Sequence, residues 1–163
     1  MNFSDDLTKL SSDFLENYPA NVYPELLCKA ECPFTYLCID IHCGYYICIP
    51  FRSNISHHDA FLLQDSKSGL DYTKIILVNK KAYLDSQDIC VNQDQYNEVR
   101  ENILKIVIGA VKYIDDYIWH VTGVKPMHQR DFVRRYRYST LPYFHDIMHI
   151  ERGFSASLRY FWK

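Results

Sequence analysis

The chain has 163 residues, 48% of them apolar, with fourteen Tyr, nine Phe and a formal net charge of −2. That length suits a single domain able to bury roughly two thirds of its unfolded surface without staples. The apolar and aromatic content excludes a disordered polymer.

The N-terminal MNFSDDLTKL has no basic region leading into an apolar one, and no stretch of eighteen apolar residues follows, so neither a signal peptide nor a membrane span is expected. The expected compartment is the cytoplasm. Free thiols are therefore expected for the six cysteines, at 28, 32, 38, 43, 48 and 90, whose spacing is not that of a paired zinc knuckle. Charge is uneven along the chain. Asp5, Asp6, Asp13, Glu16 and Glu25 make the start acidic, whereas from Lys125 onward Arg130, Arg134, Arg135, Arg137, Arg152, Arg159 and Lys163 outnumber the acids. One positive face able to attract phosphates would follow, and a solvated charged face is the plainer alternative.

In chain order, Leu7, Leu10, Phe14, Leu15 and Tyr18 recur at helical spacing and predict an amphipathic helix over 7–18, capped by Ser4 or Asp5 and ended by Pro19. Pro24 to Lys29 could form a further helical turn. Tyr36 to Ile41 and Tyr45 to Ile49 predict a hairpin around His42, Cys43 and Gly44, its second strand stopping near Pro50. Beyond it Phe51 to His58 forms a polar loop, and 60–68 reads as a surface excursion. Gly69 to Val78 ends in a continuous apolar run that predicts one central strand, with weaker edge strands at 82–84 and 89–91. Asn92 opens a long helix to Val121, its apolar stripe wide enough to pack on the sheet and on a second helix, and Gly123 stops it. Pro126 opens a last helix, and Ser139 and Thr140 cap a turn near Pro142; the tail from Gly153 has no pattern.

The residues with chemistry cluster after the hairpin. His57 suits a general acid or base, Arg52 a planar phosphate clamp, and Ser53 a hydroxyl donor to a phosphate oxygen. Lys29 and Lys74 are further cations; Asn54 and His58 flank the cluster, and Arg134, Arg135, Tyr136, Arg137 and Tyr138 interleave arginine with aromatic rings in a pattern fit for single-stranded RNA. Each residue has a plainer reading. Arg52 could pair with Asp71 or Asp59, Ser53 and Asn54 could be an ordinary turn, Lys74 a rim charge, and the two histidines surface residues. His145 reads as a packed histidine. A metal site from His57, His58 and Asp59 is disfavoured, because adjacent ligands in one loop rarely complete a site.

Three blocks, IPFRSNISHH (49–58), GLDYTKIILV (69–78) and YRYSTLPYFH (136–145), resemble the TenpN branch of type III toxin–antitoxin toxins, related to ToxN, AbiQ and CptN, over about residues 10–150. The resemblance implies an α+β fold, a twisted antiparallel sheet in a partly closed MazF- or Kid-like barrel flanked by helices. It also implies an endoribonuclease with no metal or other cofactor, cleaving cellular or phage RNA to a 2′,3′-cyclic phosphate. A repeated RNA pseudoknot antitoxin would hold it in a protein–RNA hetero-oligomer, with no membrane partner. The Thr-Ser-x-Lys motif of ToxN-like relatives falls with its serine on Ser53, Arg52 at the threonine and Ile55 at the lysine. The cation must then come from Arg52, Lys29, Lys74 or an imidazole. A non-catalytic RNA-binding module is the alternative, and a protein-interaction domain with exposed tyrosines a third reading.

Overall fold

The computed structural model describes residues 6–26, 34–64 and 67–150. Ser4, Asp5, Lys29 and the tail from Gly153, all named above, lie outside the described residues.

The hairpin organises the fold. Strands β2 (Tyr36–Asp40) and β3 (Tyr46–Arg52) pair with Leu37 opposite Ile49 and Ile39 opposite Ile47. His42 (φ 58°) and Gly44 (φ 94°) both take left-handed backbone in the turn, and the Asp40 carboxylate steadies it by accepting the His42 N–H at 2.8 Å. Tyr36 to Ile39 and Ile47 to Pro50 are buried on both faces, which fits a β-rich run without polar alternation.

Pro50 does not end β3, which continues to Arg52. The Phe51 N–H donates to the Thr35 carbonyl on the β2 side, so a donor at residue 50 would point to the opposite edge. There β3 changes partner, from β6 (Ile76–Val78) along Tyr46–Cys48 to β5 (Gly69–Asp71) along Phe51–Arg52. Proline sits in that gap, where no ladder bond is asked of it.

The run predicted as one strand over 69–78 is accordingly two, broken by a 3₁₀ turn at Tyr72–Lys74. Asp71 causes the break: its carboxylate accepts both the backbone N–H (2.9 Å) and the hydroxyl (2.6 Å) of Thr73, local bonds that compete with a ladder. Buried Thr140 pins the turn from behind, its N–H donating to the Thr73 carbonyl at 3.1 Å and its hydroxyl to the Ile75 carbonyl.

The remaining strands are β1 (Asp6–Leu10), β4 (Ala60–Leu62) and β7 (Leu84–Asp85), giving a seven-stranded antiparallel sheet of order β4-β5-β3-β2-β1-β7 with β6 on β3. The path is open, with β4 and β7 at its ends. The helix expected over 7–18 is overridden where β1 fills the slot between β2 and β7, leaving only α1 (Ser12–Asn17), capped by Ser11. Residues 60–68 are likewise not a mere excursion, since β4 pairs with β5; residues 89–91 form no strand. Gly69 permits that pairing, because a methyl there would run into the Phe61 carbonyl.

The long helix is interrupted once, at Asn102, into α2 (Gln93–Glu101) and α3 (Ile103–Val121). Asn92 caps it as expected, its side chain accepting the Asp94 and Gln95 N–H groups, and Gly123 (φ 76°) follows its end. Helix α4 starts at Gln129 rather than Pro126 and runs to Tyr136, with His128 as its cap. Helix α3 buries Ile106, Ala110, Tyr113, Ile114 and Tyr117 against the sheet and α4, while Leu104 is exposed, so the apolar stripe is narrower than its composition suggests. Gly109 lets the Tyr72 ring approach α3 and donate to the Ile106 carbonyl at 3.3 Å; a methyl at 109 would sit 2.5 Å from the Tyr72 hydroxyl oxygen. No helix among the described residues is long and apolar enough to cross a membrane.

Candidate active site around Asp71

Asp71 is the centre of the candidate site, and its side chain is 0% exposed. A bare buried carboxylate would be costly, and this one is saturated with donors. Oδ2 accepts from Arg52 NH1 at 2.7 Å, while Oδ1 accepts from Thr73 twice and faces His57 Nε2 at 3.2 Å. Arg52 comes from the last residue of β3, Asp71 from the last residue of β5, and His57 from the intervening loop. That loop is anchored at both ends: the Ile55 N–H donates to the Lys67 carbonyl at 2.9 Å, and the Tyr72 N–H to the Asp59 carbonyl at 3.0 Å. Asn54, in left-handed backbone (φ 57°), turns the chain between Arg52 and His57.

Burial would raise the Asp71 carboxyl, but the bonds from His57, Thr73 and Arg52 outweigh it and hold the group below its ordinary value. The Asp71 bond in turn raises the His57 imidazole, with burial and the Arg52 charge opposing and Asp59 adding to the rise. Asp71 thus shifts His57 toward its protonated form. Arg52 and a protonated His57 against one carboxylate leave a single net positive charge at a surface where both side chains are about one-third exposed, and deprotonation of His57 removes it. The arrangement can bind an anion and supply a proton. His57 Nδ1 is covered and has no hydrogen-bond partner among the described residues, so its use on a ligand requires the ring to turn about the Cβ–Cγ bond.

Comparison of the chain with protein-family models, with curated proteins and with solved structures returns no match. The site therefore rests on its own geometry.

Of the residues singled out from the sequence, Arg52 and His57 meet on Asp71, and exposed Ser53, Asn54 and His58 border them. Ile55 is buried, so nothing basic stands at that motif position, although exposed Lys67 is joined to it through the backbone. Lys74 is drawn away, bonded to Glu25 at 2.9 Å and the Tyr138 carbonyl at 2.7 Å. The basic stretch divides. Tyr136, expected to stack on RNA, is fully buried and donates to the Tyr113 carbonyl at 2.8 Å. Arg135 is half-buried on Asp59 and Asp116, and Arg134 is exposed beside Asp131 at 3.2 Å. Only Arg137, its guanidinium 5.3 Å from the Tyr138 ring centre, and Tyr138 itself keep the exposed cation–aromatic character expected of the whole stretch. Sequence reasoning treated Asp71 only as a possible partner of Arg52 and gave Thr73 no role. The available signal was an aspartate two residues before a threonine at the edge of an apolar run, the pattern of a side chain that caps a turn.

Proposed function

We propose that this chain is a metal-independent endoribonuclease acting as the toxin of a type III toxin–antitoxin system, countered by a repeated RNA pseudoknot. The observation that carries the reading is the Arg52–Asp71–His57 constellation, because it draws together the loop and GLDYTK blocks on which the family resemblance rests. The partly closed barrel of MazF- and Kid-like toxins belongs to the same proposal; what supports it is that every strand pair of the sheet is antiparallel.

In the proposed reaction the 2′-oxygen attacks phosphorus, its proton passes to a base, the P–O5′ bond breaks, and O5′ takes a proton as the 2′,3′-cyclic phosphate forms. A raised His57 fits the donor to O5′, and Arg52 fits the clamp on the phosphorane oxygens, with Asp71 orienting both. Ser53 borders the same phosphate position.

The test is incubation of the purified chain with RNA in EDTA, scored for cyclic-phosphate ends. Cleavage is expected, with His57→Ala slower by about 10²- to 10⁴-fold and Arg52→Ala by about 10²- to 10³-fold. Intact RNA, or variants as active as wild type, would end this reading. The covered Nδ1 of His57 favours one alternative, an RNA-binding module without cleavage. That module would retard RNA with a salt-dependent affinity and yield no cyclic ends.

A further inference from the structure

Arg135 belongs to the arginine–aromatic stretch, yet both arms of its guanidinium are engaged inside the protein. Nε donates to Asp59 Oδ1 at 3.0 Å and NH1 to Asp116 Oδ2 at 2.8 Å, the latter carboxylate also held by Lys112 at 2.7 Å. The guanidinium lies over the rings of Tyr113 and Tyr136, at 5.2 and 5.1 Å from their centres. Such a planar, bidentate, stacked placement suits arginine and not lysine. Asp59 is two residues beyond His57, and its carbonyl accepts the N–H of Tyr72, the residue after Asp71. One arginine on α4 therefore grips the point where the histidine loop meets the carboxylate strand.

We propose that Arg135 is a positioning residue for His57, acting through Asp59: it fixes the loop that lays the imidazole on Asp71 and offsets the second carboxylate beside that ring. The groups facing His57 are Asp71 from β5, Arg52 from β3, and Asp59 from its own loop, with His58 its neighbour in sequence. Arg135 reaches the ring only by way of Asp59. With Arg135 in place, Asp59 is half of a pair; without it, the Asp59 carboxylate, two residues from His57, adds to the rise that Asp71 already imposes on the imidazole. The consequence for catalysis rests on the proposed role of His57, but the positioning itself does not.

The experiment is an NMR titration of the His57 ring protons in the full chain without RNA, the resonance assigned by its loss in His57→Ala. Arg135→Gln is expected to move the His57 midpoint up, Asp59→Asn to move it down, and the double variant to match Asp59→Asn alone. Arg135→Lys, which keeps the charge but not the fork, should fall between Arg135→Gln and wild type. If Arg135→Gln does not fold, Asp59→Asn and Arg135→Lys still decide the matter. An unmoved midpoint in Asp59→Asn, or a double variant that departs from Asp59→Asn, overturns the inference. Because no substrate is present, this result stands apart from whether the chain cleaves RNA. Should cleavage be found, Arg135→Gln is expected to lower kcat by about tenfold to a hundredfold with little change in KM, the signature of a misplaced group.

Discussion

Two histidines in this molecule have the same bonding and opposite charge preference. His57 places Nε2 on the Asp71 carboxylate at 3.2 Å; His145 places Nε2 on the Tyr117 hydroxyl at 2.7 Å; in each the Nδ1 is covered and unpartnered among the described residues. The carboxylate raises His57 above its ordinary value. His145, 6% exposed beside a neutral phenol, is lowered by burial, with its chain neighbour Asp146 opposing. A histidine's charge is thus decided by whether its partner can carry the opposite one.

The largest expected effect breaks the His57 half of this contrast. Asp71→Ala removes the acceptor of four donors and unties β5 from the 3₁₀ turn, which should cost about 3 kcal/mol in urea denaturation and drop the His57 midpoint toward that of a free imidazole. A His57 midpoint unchanged by this variant would refute the assignment of its charge to Asp71.

Breaking the other half is milder. Tyr117→Phe should cost about 1–3 kcal/mol, because it strands a buried imidazole nitrogen, and it should leave the His57 titration where it is. Gly109→Ala probes the wall shared by the two regions: the new methyl must displace the Tyr72 ring, at about 1–3 kcal/mol. Since Tyr72 follows Asp71, the His57 resonance should broaden or move in that variant and stay put in Tyr117→Phe.

The smallest effect is the pH dependence of stability, and its sign differs between the two residues. For raised His57, the native state binds more protons than the unfolded chain between the ordinary and the raised value. Its contribution is full below about pH 6.5 and is lost as pH climbs through the raised value. For lowered His145 the unfolded chain binds more protons, so stability falls as pH drops from about 6.5 through the lowered value. His57→Ala should therefore flatten the alkaline limb of a stability-against-pH curve, and His145→Ala the acid one, as denaturation midpoints across pH would show. Asp71, held low, adds a further loss at acid pH as it falls through its own depressed value.

Much of the candidate site was legible before any tertiary structure. The hairpin, its glycine turn, and the appearance of Arg52 at the end of a buried strand and His57 just past it all follow from local pattern, as do the Asn92 cap and the Gly123 stop. The pattern misled where a local bond or a distant partner outweighed it. Apolar spacing over 69–78 could not show that Thr73 would close a turn on Asp71, and a count of arginines could not show that Arg135 would be enclosed between Asp59 and Asp116.

The sequence by itself determined part of the local order of this protein: that the hairpin strands bury both faces, that a helix opens at Asn92 and another ends before Gly123, and which loop carries ionisable groups. Those properties depend on neighbours a few residues apart. Only the tertiary structure decided which charges meet. Arg52 and Asp71 are 19 positions apart and Arg135 and Asp59 are 76, and each pair forms because strand pairing and helix packing bring its two members together where water is scarce. Burial then turns an incidental surface charge into a fixed partner, and so sets the protonation of His57.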